Sequence, residues 1–333
     1  MKLRTWQIWL ATAALAGLSV IFAVPFMWML STSLKVDEKI QTEHLNLIPR
    51  ATFIVHNGET LRVRPLQARG DMQEVQVYRD NRPAEKLMVR RTDLRDGFYL
   101  NTANYTEALR RAQFIAVTDR WPFVRGYLAN TLIICVLTVT GTLLSCSLAA
   151  YGLACVEWRG RELLLWVMLS TMMLPGQVTM IPLFMTFRKL GWINTILPLV
   201  VPSFLGNAFF IFLLRQFYRS IPRDLIEAAR IDGCGELGIW ARIMLPLSRP
   251  ALAVVALFTF IGSWNDFLRP LIYLMEESKY TMAIGLASFQ GQYGGDWGQM
   301  MAMSLLMTVP IIVLFFFTQK TFIQGVKLAG IKG

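Results

Sequence analysis

The sequence predicts an all-α polytopic membrane protein: six transmembrane helices, with a small β-rich extracytoplasmic insertion between the first two. Three observations predict it. Of the 333 residues, 54% are hydrophobic and 17% charged, against about 25% charged in an ordinary soluble domain. Six apolar runs, near 7–33, 126–156, 162–187, 193–218, 247–274 and 301–319, reach the length that crosses a bilayer. The charges concentrate elsewhere: residues 35–125 hold 16 of the 33 Lys/Arg and 12 of the 22 Asp/Glu. A chain held in the lipid bilayer and carrying one polar module accounts for all three.

The first run begins "MKLRTWQIWL", a basic start like that of a signal peptide. Its apolar stretch continues past the h-region of such a peptide and no small-residue cleavage site follows, so it is expected to stay as an anchor over 1–34. Placing the N-terminus in the cytoplasm assigns thirteen Lys/Arg of the short connections to the inner side and four to the outer. That asymmetry sets the orientation, with both termini cytoplasmic. Residues 35–125 then lie outside, and within them about 51–97 read as the β-rich insertion. "FIVHNGETLRVRPL" is two extended pieces around Asn57-Gly58, and "VQVYRDNRPAEKLMVRR" repeats the pattern around Asp80-Asn81; such dipeptides between alternating residues signal hairpins. A solvated spacer without activity is the competing reading of this module. "NTANYTEALRRAQF" reads as a short helix leading back to a five-helix core over 126–319, and 320–333 form a cytoplasmic tail.

Several function classes are excluded. The net charge of +11 does not imply nucleic acid, because the basic residues sit at the ends of apolar runs and form no single stripe. Cys135, Cys146, Cys155 and Cys234 show no CxxC spacing, and with His44 and His56 both in the polar segment no metal site is expected. The chain has no phosphate-binding loop, no H-E-x-x-H and no G-x-S-x-G. Glu276 and Glu277 stand beside Lys279 in a short loop and read as a solvated cluster. No catalytic residue and no cofactor are expected.

One stretch breaks the apolar pattern. "SIPRDLIEAARIDG" offers Ser220 as an N-cap, Pro222 in the first turn and Asp224 at the helix N-terminus. Gly233 supplies a stop, and "GELGIWARIMLP" starts a second helix that Pro246 ends or kinks. Leu225, Ile226 and Ala229 form an apolar side, and Arg223, Glu227 and Arg230 a charged rim. Such a helix suits a groove on a partner protein and equally the bilayer surface; its composition does not choose between them.

The spacing does. Glu227-Ala228-Ala229, three residues, Gly233, nine residues, then Ile243-Met244-Leu245-Pro246 resembles the EAA–G–I-x-L-P loop of ABC importer permeases. "MMLPGQVTMIPLF" (172–184), "FLLRQFYRSIPRDLIEAARIDG" (212–233), "FTFIGSWNDFLRPLIYL" (258–274), "GLASFQGQYGGDWG" (285–298) and the ending "FIQGVKLAGIKG" resemble its carbohydrate branch, the maltose-permease type. The resemblance runs loosely over 1–50 and nearly continuously over 98–333, and leaves out 51–97. It implies the six-helix type I ABC importer fold in a bacterial cytoplasmic membrane. It also implies a second homologous permease, two ABC ATPase subunits, an extracytoplasmic solute-binding protein and a sugar substrate.

For single residues the resemblance implies a coupling role at Arg223, Glu227, Ala228, Ala229, Asp232, Gly233, Ile243, Leu245 and Pro246, which would dock the loop 220–246 on the ATPase. Gly330, Lys332 and Gly333 match a tail that inserts between ATPase subunits, and Tyr293 and Trp297 lie in a loop that reaches toward the binding protein. Gln177, Asn207, Asn265 and Asp266 are polar groups at membrane depth and are candidates for the translocation path. Asp266 also stands three residues before Arg269, so an ion pair within the helix is an equal reading. Two alternatives stay open: a non-sugar solute, since other permeases share the loop, and a membrane-anchored sensor or assembly protein acting through 51–97.

Overall fold

The computed structural model describes residues 5–42, 46–56, 58–79, 82–111, 126–290 and 296–330. The chain divides into two compact units, Met1–Ala112 with Leu286–Thr308 and Gln113–Gly285 with Val309–Gly333.

The first unit contains the apolar helix Thr5–Ser33 and an antiparallel sheet of five strands, β1 (Arg50–His56), β2 (Glu59–Arg69), β3 (Met72–Arg79), β4 (Arg82–Arg90) and β5 (Arg95–Phe98), in the order β4-β3-β2-β1-β5. The β1–β2 register closes at His56–Glu59 and the β3–β4 register at Arg79–Arg82, on either side of the two expected turn dipeptides. Asn57, Asp80 and Asn81 themselves lie outside the described residues. A third turn joins β2 to β3 at Gly70-Asp71, where Gly70 adopts a φ of +60° that favours glycine. Alternate residues Ile54, Leu61, Val63, Val75 and Val77 are buried on one side of the sheet and form its core.

Asp96 on β5 accepts hydrogen bonds from Lys39 (2.7 Å) and from Thr52 on β1 (2.8 Å). Burial alone would raise its carboxyl, but those two hydrogen bonds and the nearby Lys39 and Arg50 charges hold it below the ordinary carboxylate range. A carboxyl depressed by folding stabilises the fold above its unfolded pKa and loses that contribution as pH falls through the folded value. Asp96→Asn is therefore expected to destabilise the detergent-solubilised chain at neutral pH by no more than about 1 kcal/mol, read as a slightly lower melting temperature. The difference from wild type should vanish on acidification.

Among the described residues, Thr5–Ser33, Tyr127–Ala154, Leu197–Tyr218 and Trp297–Gln319 are each long and apolar enough to cross a membrane. Two bent pairs could each make one further span: Arg161–Met173 with Gly176–Lys189 at 98°, and Glu236–Leu247 with Arg249–Trp264 at 82°. The third run over 162–187, which Pro175 and Gln177 are expected to interrupt and Pro182 to interrupt again, is broken at the first of these places. Leu174 is extended (φ −81°, ψ 119°) because it precedes Pro175, and a residue before proline is pushed out of the helical region. Pro182 is instead carried inside the helix Gly176–Lys189. The run over 193–218 is a short helix, a 3-10 stretch Val201–Leu205, a break at Gly206 (φ +91°) and the helix Ala208–Tyr218. The run over 247–274 yields Arg249–Trp264, a break at 265–267 and Leu268–Tyr273.

Candidate functional site

The second unit carries the loop 220–246. Its first helix, Asp224–Ile231, begins later than expected: Arg223 is the N-cap, and the Ser220 hydroxyl donates back to the Phe217 carbonyl at 2.7 Å, closing the preceding helix. At the far end Gly233 has φ +80°. The Cys234 amide donates to the Ala229 carbonyl (2.9 Å) and the Gly233 amide to that of Arg230 (3.1 Å). These are the two bonds of a Schellman stop, which needs a left-handed residue where Gly233 stands. Glu236–Ile239 then runs through a π-helical segment, Trp240–Met244, into Leu245–Leu247. Pro246 neither ends nor kinks this helix; the 82° bend follows it.

Which side faces outward corrects the sequence reading. Ile226 and Ala229 are buried in this chain's own core with Ile239, Met244, Tyr151 and Tyr218, so Ala229 anchors the loop and presents no surface. Ile243 packs partly buried against the same cluster. The outward apolar residues are Leu225, Ile231 (87% exposed) and Leu237 (68% exposed), while Ala228, Asp232 and Gly233 are also exposed. An eight-residue helix turns about two full cycles, so Ile226 and Ala229, three apart, share the inner face and Leu225, Ala228 and Ile231 the outer.

A concavity of about 510 Å³ lies behind the loop, walled by Arg219, Arg223, Glu227, Arg230, Glu157 and Glu236 among others. The Tyr151 hydroxyl, at the end of Tyr127–Ala154, donates to Glu236 Oε2 at 2.5 Å. Arg230 Nε donates to Glu236 Oε1 at 2.8 Å, and its Nη2 to the Cys155 carbonyl at 3.2 Å. Arg223 faces Glu157 at 3.7 Å. Through these bonds the loop is tied to the end of the helix that starts at Tyr127.

A second cavity, about 430 Å³, is lined by Thr138 and Thr142 of Tyr127–Ala154, Asn207 at the broken helix, and Thr259 and Ser263 of Arg249–Trp264, with Arg269 also on its wall. Of the sequence's path candidates only Asn207 lines it; its side chain caps Ala208–Tyr218 by accepting from the Phe210 amide at 3.2 Å. Asp266 is held by Arg269 (2.6 Å), as the i,i+3 spacing allows. Asn265 is exposed with its amide on the Ile261 carbonyl, and Gln177 is exposed on Gly176–Lys189; neither lines the cavity. Sequence reasoning missed the threonines and Ser263, although hydroxyls four residues apart in two apolar helices mark one polar face on each.

Gly141 forms part of the packing beside this cavity. A Cβ there would stand 2.5 Å from Ser203 Oγ and 2.6 Å from the Phe204 ring. Gly141→Val is expected to push Tyr127–Ala154 away from that segment at a cost of about 1–3 kcal/mol, read as a lower melting temperature in detergent.

Of the remaining candidates, Trp297 opens the helix Trp297–Gly330 and is partly exposed, and Gly330 closes it. Tyr293, Lys332 and Gly333 lie outside the described residues.

An apolar helical chain with broken spans, a docked polar loop and a polar cavity defines an integral membrane transport component. The chain belongs to the family described as the binding-protein-dependent transport system inner membrane component, which matches residues 141–328. It is accordingly a multi-pass protein of the inner membrane. It is similar to the arabinooligosaccharides transport system permease protein AraQ of Bacillus subtilis, 37% identical over 204 residues, 61% of this chain and 72% of that protein. The trehalose/maltose transport system permease protein MalG of Thermococcus litoralis is 35% identical over 211 residues, 62% of this chain and 76% of its own. A solved chain of a bacterial ABC transporter involved in the import of the acidic polysaccharide alginate shares the fold, with a TM-score of 0.68, 20% identity, and coverage of 96% of this chain and 98% of that one.

Proposed function

We propose that the chain is the transmembrane permease subunit of an ATP-driven importer that carries a sugar or oligosaccharide from an extracytoplasmic binding protein into the cytoplasm. The observation that carries this is the loop 220–246, which turns Ile231 and Leu237 outward on a mount anchored by Ile226 and Ala229. Large exposed apolar side chains with a charged rim are the make-up of a protein docking surface. In this reading a separate ATPase subunit takes that surface, and closure of two such subunits moves the loop and, through Tyr151–Glu236–Arg230, the span starting at Tyr127. Alternating access follows if ATP and loaded binding protein favour different packings of the core.

The proposal extends to the rest of the chain. Each bent pair counts as one span, giving six. The first anchors 1–34, the sheet lies outside the cytoplasm within 35–125, 126–319 form the five-helix core, and 320–333 reach the ATPases. A second homologous permease completes the pathway, and Tyr293 and Trp297 face the binding protein. Arg223, Glu227, Ala228, Asp232, Gly233, Leu245 and Pro246 meet the ATPase, while Ala229 and Ile243 brace the loop from within. The chain performs no chemistry of its own; ATP is hydrolysed by the partner.

The test is reconstitution. The chain, a second permease, the ATPase and the binding protein encoded with it are placed in proteoliposomes, and ATP-dependent entry of labelled sugars is measured. ATP-dependent entry supports the reading, and entry of amino acids or metal ions but no sugar would replace it with the non-sugar alternative. The sheet has a core of its own, which favours keeping the sensor reading in play. Deleting 51–97 and finding uptake unchanged would remove it as the main function.

A further inference from the structure

In the first unit, the helix Thr5–Ser33 is long and apolar enough to cross a bilayer, and no residue of its most apolar stretch is buried. Tryptophans mark both ends of it, Trp6 and Trp9 at one and Trp28 at the other, all exposed. The rise of an α-helix sets these two levels roughly 28–33 Å apart, which matches a hydrocarbon core of about 30 Å. Indole rings settle at the bilayer interface, so Trp28 marks one surface of the membrane. The Ser31 hydroxyl, three residues further on, donates to the Leu47 carbonyl at 2.5 Å. The Asn101 backbone amide donates to the Leu34 carbonyl at 2.8 Å, and the Asn104 side-chain amide to the Ser33 carbonyl at 2.8 Å. The segments that enter and leave the sheet are thereby held at the level of the helix end.

Large apolar side chains gather there. Phe98 is 67% exposed, Ile48 51%, Leu47 48% and Leu100 44%. Arg50 pairs with Phe98, and the Tyr99 amide donates to the Pro49 carbonyl at 3.2 Å, so the same antiparallel register sets Ile48 opposite Leu100. Side chains two apart on a strand share a side, which puts Ile48, Arg50, Phe98 and Leu100 together. Arg50 is exposed among them. Apolar bodies with a cation between them are the make-up of a surface that lies in the bilayer interface. The apolar groups enter the acyl boundary while the guanidinium stays at the headgroup phosphates.

We infer that the sheet rests on the bilayer through this patch, and that its partner there is the lipid headgroup layer. Continuity with the lipid around the first helix favours that occupant. One helical turn is about 5 Å and the headgroup layer about 5–7 Å thick on each side. Leu47, fixed to Ser31, therefore stands inside that layer, and the patch begins beside it. Val55 is the contrast: it is 67% exposed, but it lies five residues along β1 from Arg50, about 17 Å away, and on the other side of the sheet. The seat requires neither a sugar nor an ATPase, so it stands or falls separately from the importer reading.

Nitroxide labels on Ile48→Cys, Phe98→Cys and Val55→Cys test it, in the full chain held in nanodiscs of phosphatidylethanolamine and phosphatidylglycerol, with the wild-type chain as the labelling blank. All three positions are exposed, where substitution is well tolerated. Molecular oxygen concentrates in lipid and a nickel chelate stays in water. Oxygen should relax the labels at the Ile48 and Phe98 sites several-fold more than nickel does, and the order should reverse at the Val55 site. Adding Phe98→Asp to the Ile48→Cys chain should raise the nickel effect several-fold, because a carboxylate placed in the patch has to be desolvated. Nickel relaxation at the Ile48 and Phe98 sites as strong as at Val55 would overturn the seat. Protection of those two sites from both reagents would overturn it as well, by showing that protein covers the patch in place of lipid.

Discussion

Replacing Ile231 and Leu237 with aspartate is expected to abolish copurification of the ATPase subunits and reduce uptake to background, with the chain still folded in the membrane. Neither side chain supports the fold: Ile231 is 87% and Leu237 68% exposed, so their substitution opens no internal cavity. Exposed positions of this kind tolerate change within about 0.5 kcal/mol. In a docked loop the same two positions become buried anchors, and truncating such an anchor typically costs at least about 2 kcal/mol of binding. A carboxylate costs more, because it must be desolvated without a partner. The contrast is Ala229→Asp, which strikes the inner face against Ile239 and Met244 and should fail earlier, by unfolding the loop. Retained ATPase binding in Ile231→Asp/Leu237→Asp would show that the partner uses another surface.

That inner and outer assignment marks the limit of what the sequence reveals. The E-A-A to G to I-x-L-P spacing locates the loop, and Gly233 reads correctly as its stop because only a left-handed residue closes a Schellman turn there. The direction of Ala229 is not legible, since Leu225, Ile226, Ala228 and Ala229 share one broad apolar side of a short helix and the sequence does not say which part of it turns inward; packing on Tyr151 and Tyr218, distant in sequence, decides it. The apolar runs announce the spans because a bilayer demands about twenty apolar residues in a row. Pro175 marks a break, but the 98° between the two helices depends on what each packs against. Thr138 and Thr259 pass as ordinary apolar-helix residues until the structure sets both beside one cavity.

Arg215 is a second case of the same kind, and it carries the other large expected effect. In the sequence it counts as one of the basic residues holding the inner side of the membrane. In the structure it is 4% exposed, its Nη2 lies 2.5 Å from Glu162 Oε1, and its Nε donates to the Leu153 carbonyl at 3.3 Å. The guanidinium thus joins Ala208–Tyr218 to the first turn of Arg161–Ser170 and to the end of Tyr127–Ala154. Removing one partner of a buried pair leaves an uncompensated charge and costs about 3–5 kcal/mol. Glu162 is itself 55% exposed, which lets water take part of its place and lowers the expected loss for Glu162→Ala to about 2–3 kcal/mol. Replacing both ends with apolar groups removes the stranded charge, so Glu162→Ala/Arg215→Met should recover most of that loss. The measurement is the melting temperature of the solubilised chain for the wild type, both single variants and the double. Additive losses in the double variant would mean that Arg215 stabilises through packing alone. Recovery would identify the ion pair as a clamp in which Glu162 is needed only because it compensates the buried Arg215, at the junction of Ala208–Tyr218, Arg161–Ser170 and Tyr127–Ala154.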